Sequence, residues 1–237
     1  MIRASRLRCS FSCAITINVI KKHLTGEKMI EVKNGYRILF IGDSITDIKF
    51  NREFDYKIHG RKVYALQVAK QLKKKYKNLK FFFRGIASNR TYHLYDRLTK
   101  DCINLKPDVI VMLIGVNDAW EHYVPEQYPP LLRPMKPHVK EIYRRLNAEL
   151  PDAQLLVLLP FLIDSMPEKA PFHKVLDEYR QVLADMALKN SADIIDLQEV
   201  FNKAQKEILP EKLAVDGVHP TNLGHKIISQ EVLKVLK

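Results

Sequence analysis

The sequence predicts an α/β protein built on a five-stranded parallel sheet with helices on both faces. Short, continuous apolar runs alternate along the chain with longer segments of helical periodicity, the order that wraps helices over a parallel sheet. Each run is too short to be a buried helix and ends in a loop. A chain of 237 residues with 46% hydrophobic side chains is also long enough to close one core.

The elements follow in order. Tyr36 to Ile41 is an apolar run stopped by Gly42-Asp43-Ser44, the pattern of a buried strand meeting a loop. Val63 to Tyr76 has roughly helical apolar spacing, Leu79 to Phe83 is strand-like, and Tyr92 to Leu105 is helical. Asp108 to Ile114 is a second continuous strand. Met135 to Leu150 is an amphipathic helix stopped before Pro151, and Gln154 to Leu159 is a third buried strand. Phe172 to Lys189 is a helix, Ala192 to Ile195 a short strand, Gln198 to Ile208 a helix, and Asn222 to Leu236 the closing helix. One compositional break interrupts the series: Pro125, Pro129, Pro130, Pro134 and Pro137 mark a long loop, whose size points to a bearing on function.

The domain is expected to run from 29 to 237, behind a leader of residues 1 to 28. Arg3, Arg6 and Arg8 followed by Phe11 to Ile20 have the outline of an export signal. Ser12, Thr16 and Asn18 interrupt the apolar part, and Lys21 and Lys22 stand where a cleavage site would need small residues. A disordered or non-native start, with Met29 opening the domain, is the simpler expectation. A cytoplasmic location goes with it; export is the alternative if the leader acts as a signal.

The formal net charge of +12 invites a nucleic-acid reading, but the charge is spread along the chain. Its one dense run, Lys73, Lys74, Lys75, Lys77 and Lys80, lies late in a predicted helix and reads as a solvated face. No nucleic-acid-binding motif accompanies it, and no membrane partner is expected. Cys9, Cys13 and Cys102 form neither a disulfide framework nor a CxxC pair, and the histidines show no metal spacing. Neither a metal nor another cofactor is expected. Oligomeric state is left open, a homo-oligomer included.

In such sheets ligands bind beyond the carboxyl ends of the strands. Ser44 opens the first of those loops. A serine hydroxyl is protonated at neutral pH, so it needs a base within reach and donors for the charge that its attack creates. His219, in Asp216-Gly217-Val218-His219-Pro220, is the candidate base, and Asp216 can orient the far nitrogen of its ring. Gly85, at the end of a strand, and Asn117, in Gly115-Val116-Asn117-Asp118, are candidate oxyanion donors together with the Ser44 N–H. Asp43 and Trp120 are placed on the substrate side of the site. The Asp43 carboxylate is also expected to hold its loop by accepting N–H bonds, and the Trp120 indole either packs in the core or lines the cleft.

These residues carry a resemblance. Gly42-Asp43-Ser44-Ile45-Thr46, Arg84-Gly85-Ile86, Gly115-Val116-Asn117-Asp118 and Asp216-Gly217-Val218-His219-Pro220 resemble, in order, the nucleophile, glycine, asparagine and acid–base blocks of the SGNH hydrolases, the GDSL esterase and lipase superfamily. The likeness spans residues 36 to 237. It implies a three-layer α/β/α, flavodoxin-like fold and a serine esterase working through an acyl-enzyme on Ser44. Ile41 to Asp47, Ile114 to Trp120 and Pro160-Phe161 look most like bacterial acetylxylan esterases and related carbohydrate deacetylases, which implies acetyl esters of xylo-oligosaccharides or other sugars as substrates. A lysophospholipase or thioesterase of the same fold is the alternative, and a catalytically silent carbohydrate-binding or interaction protein is the alternative of another class. One departure stands out. Family members usually carry a second glycine shortly after the first, whereas here the run is Gly85-Ile86-Ala87-Ser88-Asn89, so Ser88 is expected to bear any positive φ that the loop requires.

Overall fold

The computed structural model describes residues 29–48, 62–124 and 134–237. The leader and most of the Pro-rich loop therefore lie outside the described residues. Five strands, β1 (Arg37–Gly42), β2 (Lys80–Gly85), β3 (Val109–Leu113), β4 (Gln154–Leu159) and β5 (Asp193–Asp196), form one sheet in the order β2-β1-β3-β4-β5. All neighbouring pairs are parallel. This is the doubly wound, flavodoxin-like order, and it reverses between β1 and β3.

Side chains of a strand alternate between the two faces of a sheet, so each central strand feeds two cores. Ile38 and Phe40 of β1, with Val109, Val111, Leu156 and Leu158, pack on one side. There they meet α1 (Tyr64–Lys75), α7 (Leu197–Ala204) and α9 (Asn222–Val235) through Val68, Leu72, Phe201, Ile228 and Val232. Leu39, Ile41, Ile110, Met112, Val157 and Leu159 face the other way. They meet α2 (Thr91–Asp96), α3 (Leu98–Asp101), α5 (Met135–Glu149) and α6 (Phe172–Lys189). Ile30 and Val32 are buried, and a backbone ladder joins them to the last residues of the chain: Ile30 N–H to Val235 O at 3.0 Å, Lys237 N–H to Ile30 O at 3.0 Å, and Val32 N–H to Lys237 O at 2.7 Å.

Several helices differ from their predicted outlines, each for a local reason. The predicted helix from Tyr92 to Leu105 is broken into α2, α3 and a 3-10 turn, Ile103–Leu105, with Arg97 and Cys102 at the joints. The helix predicted from Gln198 ends early, at Ala204. It begins where the Asp196 carboxylate accepts the N–H groups of Gln198 and Glu199 at 3.0 and 3.2 Å. A further helix, α4 (Val116–Tyr123), follows β3 where the apolar run is expected to end in a loop. Gly115 makes this possible: at φ 117° it turns the chain from β3 directly into α4, a conformation closed to most residues. The short α8 (Pro210–Leu213) stands between α7 and α9.

Among the described residues no helix is long and apolar enough to cross a membrane. Lys73, Lys74 and Lys75 occupy the last turn of α1, where cations complement the helix dipole. Cys102 is buried, and burial pushes its thiol up to about 12, which keeps it protonated.

Candidate active site

The loops after β1, β2 and β3 and the segment before α9 converge where the strand order reverses. After β1 the chain turns at once. Thr46 and Asp47 N–H groups bond to Asp43 O at 3.1 and 3.0 Å, and Ile45 N–H bonds to Asp43 Oδ1 at 3.0 Å. Ser44 is 4% exposed at the floor of this turn. Its Oγ lies 2.9 Å from His219 Nε2, and His219 Nδ1 lies 2.6 Å from Asp216 Oδ2. An ionised carboxylate only accepts, so Nδ1 carries the proton and Nε2 is left to accept from the serine hydroxyl. The three residues expected to act together are thus in line.

The acid–base segment is held from several sides. Asp216 Oδ1 accepts the N–H groups of Val218 and His219 at 3.0 and 2.7 Å. Partial burial works against the ionised form of Asp216. The bond and charge of His219 and these two N–H groups outweigh it and hold the carboxyl well below its usual range. The loop after β4 braces the main chain: Ile163 N–H donates to Gly217 O at 2.8 Å, and Lys169 Nζ donates to Asp216 O at 2.6 Å. Sequence reasoning missed Lys169, since a lone lysine beyond the end of a strand carries no motif. Its Nζ also sits 5.4 Å from the centre of the Trp120 ring, within cation–π range.

The structure assigns different tasks to two of the expected site residues. Gly85 was expected to turn its N–H to the ligand. In β2, however, the even-numbered Lys80 and Ile86 donate to β1, at Tyr36 O and Gly42 O. The odd-numbered Gly85 N–H therefore faces the opposite edge, away from the strand that delivers Ser44. Its missing side chain gives room instead to the nucleophile turn, since a Cβ there would stand 2.2 Å from Asp47 N. The left-handed residue of this loop is Ser88, at φ 61°, as its place in the sequence led us to expect. Asp43 is fully buried, so it supports the turn and cannot touch a substrate. Burial pushes its carboxyl up to about 7, against the pull of the Ile45 N–H and His219.

Ser88→Gly should relieve the left-handed strain and raise stability by about 1 kcal/mol, less what the freer unfolded chain takes back. Urea denaturation is the check, and a lower midpoint would mean that the serine hydroxyl holds the loop.

Asn117 stands in the first turn of α4, with Nδ2 donating to Asn89 O at 3.0 Å. Asp118 ties the same turn to α2, accepting Thr91 N–H at 3.1 Å and Thr91 Oγ1–H at 2.6 Å. Burial raises its carboxyl to about 6 despite these bonds. Trp120 is half-buried, edge-on to Phe172 with ring centres 5.1 Å apart, and 5.6 Å from Tyr123. Val218, next to His219, packs on the same cluster. Of the two places expected for Trp120, these contacts are those of packing in a core cluster, one that the neighbour of the base also joins. Among the other histidines, His225 is buried in α9, where its Nδ1 accepts the Tyr64 N–H at the start of α1 at 3.3 Å. Among the described residues no three His, Cys, Asp or Glu side chains are grouped as metal ligands.

A serine, histidine and carboxylate in line at the switch point of a parallel α/β sheet are the equipment of a serine-type acyl hydrolase. Residues 40–227 match the GDSL-like Lipase/Acylhydrolase family, and the chain belongs to that family of carboxylic ester hydrolases. An acetylxylan esterase of Geobacillus stearothermophilus is 30% identical over 215 residues, covering 86% of this chain and 95% of that protein. The crystal structure of Axe2, an acetylxylan esterase from the same organism, has a TM-score of 0.72 at 26% identity, covering 86% of this chain and 95% of that one. A GDSL-like protein from Parabacteroides merdae has a TM-score of 0.76 at 28% identity, covering 87% and 98%.

Proposed function

We propose that the protein hydrolyses acetyl esters of carbohydrates, xylo-oligosaccharides foremost, through an acyl-enzyme on Ser44. The observation that carries the catalytic part is the chain of two hydrogen bonds from Ser44 Oγ through His219 to Asp216. His219 Nε2 takes the proton as Oγ bonds to the ester carbon, and the carbonyl electrons move onto its oxygen. The Asn117 Nδ2–H and the Ser44 N–H are the donors proposed for that oxyanion, with Gly85 making room for the turn beneath them. Collapse of the intermediate breaks the bond to the sugar oxygen, which leaves with the proton from His219. Water repeats the sequence: His219 takes its proton, its oxygen bonds to the acyl carbon, and acetate leaves as the proton returns to Ser44. Asp216 stays ionised throughout and stabilises the imidazolium.

The acetyl preference is supported by the acetylxylan esterases among the relatives and by the aromatic cluster beside the base. Trp120, backed by Phe172 and Tyr123, is proposed as the wall that closes the acyl pocket. Each methylene that does not fit forfeits its transfer energy and adds a clash. We therefore expect kcat/KM for p-nitrophenyl acetate to exceed that for the octanoate by at least about 100-fold. Trp120→Ala should narrow the gap. A wild-type preference for octanoyl or longer esters would replace this reading with a lysophospholipase or thioesterase; with the acetyl preference in hand, a screen of acetylated oligosaccharides identifies the sugar.

A further inference from the structure

We propose that Arg97, acting through Asn89, aims the Asn117 amide into the site, which makes both of them positioning residues for the oxyanion. The inference rests on the reading of Asn117 as an oxyanion donor. It begins from the place of Arg97. Sitting at the joint between α2 and α3 with a side chain only 12% exposed, it uses each of its three guanidinium nitrogens. Nη2 donates to Gly42 O at 2.9 Å. Nη1 donates to Arg84 O at 2.9 Å and to Asp101 Oδ2 at 3.0 Å. Nε donates to Asn89 Oδ1 at 2.8 Å.

Asp101 balances the charge, and the other three acceptors share a different feature. Gly42 ends the strand that delivers Ser44, Arg84 is the penultimate residue of β2, and Asn89 lies in the loop beneath Asn117. One planar, rigid fork thereby sets the spacing between the nucleophile's strand and the oxyanion loop. A lysine, with a single ammonium on a flexible stem, has no such set of directions.

Asn89 passes the constraint on. Its side chain is held by Arg97, and its own main-chain oxygen accepts from Asn117 Nδ2 at 3.0 Å. An amide nitrogen carries two hydrogens. Asn89 O takes one, which leaves the second for a developing oxyanion. It also decides which end of the amide faces inward. The two ends of an asparagine amide have nearly the same shape, and a rotation about χ2 exchanges donor for acceptor. An acceptor oxygen aimed at an oxyanion would repel it. Fixing one hydrogen to Asn89 O excludes that rotamer before substrate arrives, which is the preorganisation that such donors need.

The test is a double-mutant cycle on kcat and KM for p-nitrophenyl acetate, with folding checked by circular dichroism. Asn117→Ala should lower kcat by about 10² to 10³ with KM little changed. Asn89→Ala should lower kcat about tenfold with KM within twofold, because the Asn89 carbonyl remains but has lost its anchor. Asn89→Asp, which keeps an oxygen for Arg97 Nε, should restore most of that loss. Placed in the Asn117→Ala background, Asn89→Ala should lower kcat by less than about twofold, since the group it positions is gone. Arg97→Lys should follow Asn89→Ala if it folds; the Asn89 variants decide the matter if it does not. Additive losses in the cycle, or a loss confined to KM, overturn the positioning role while leaving Asn117 as a donor. An Asn117→Ala variant with wild-type kcat overturns the oxyanion reading itself, and this inference with it.

Discussion

Ser44→Ala should lower kcat for p-nitrophenyl acetate by at least about 10⁴-fold, the scale on which serine hydrolases lose activity with their nucleophile. The fold should survive the change. Ser44 sits in a turn held by Asp43 through Thr46, Asp47 and Ile45 N–H groups, none of which uses the Ser44 hydroxyl. Circular dichroism and the urea midpoint should therefore stay close to wild type, so that the loss reads on chemistry alone. Residual activity within tenfold of wild type would mean that another group attacks the ester.

His219→Ala should cost about as much, because a serine without its base is a poor nucleophile and members of such a set act as a unit. Asp216→Asn should cost somewhat less. Ser44 and the imidazole both remain, but the amide offers one oxygen where the carboxylate uses two, for the Nδ1 proton and for the Val218 and His219 N–H groups, and the charge that stabilises the imidazolium is gone. Asp216 should add no ionisation to the pH–rate profile in the working range, since the bonds from His219 and Val218 hold its carboxyl well below its usual range. An acid-side ionisation that Asp216→Asn removes would contradict this.

The parts of this molecule that obey local rules were legible in the sequence. Apolar runs such as Gln154 to Leu159 and the periodic stretch from Phe172 to Lys189 match their elements residue for residue, because burial and periodicity alone define them. Ser44, His219 and Asp216 were legible because the chemistry demands those side chains and the parallel sheet dictates which loops hold them. The division of labour around Gly85 was not. Which way a strand N–H points depends on pairing register, which a single strand does not reveal. The same holds for Asp43, whose full burial follows from the packing of the turn. Arg97 and Lys169 were invisible for a further reason. Each works by reaching carbonyl oxygens brought near by the fold, Gly42 and Arg84 for one and Asp216 for the other, and carbonyls leave no mark in a sequence.

The most direct measurement is of the covalent intermediate. The protein should be mixed with excess p-nitrophenyl acetate, quenched in acid during the burst, digested, and mapped by mass spectrometry. The account predicts one acetyl group on the peptide containing Ser44, formed in step with the released nitrophenolate and missing from both Ser44→Ala and His219→Ala. Full turnover with no acetyl on Ser44, or with the acetyl on another residue, would contradict it.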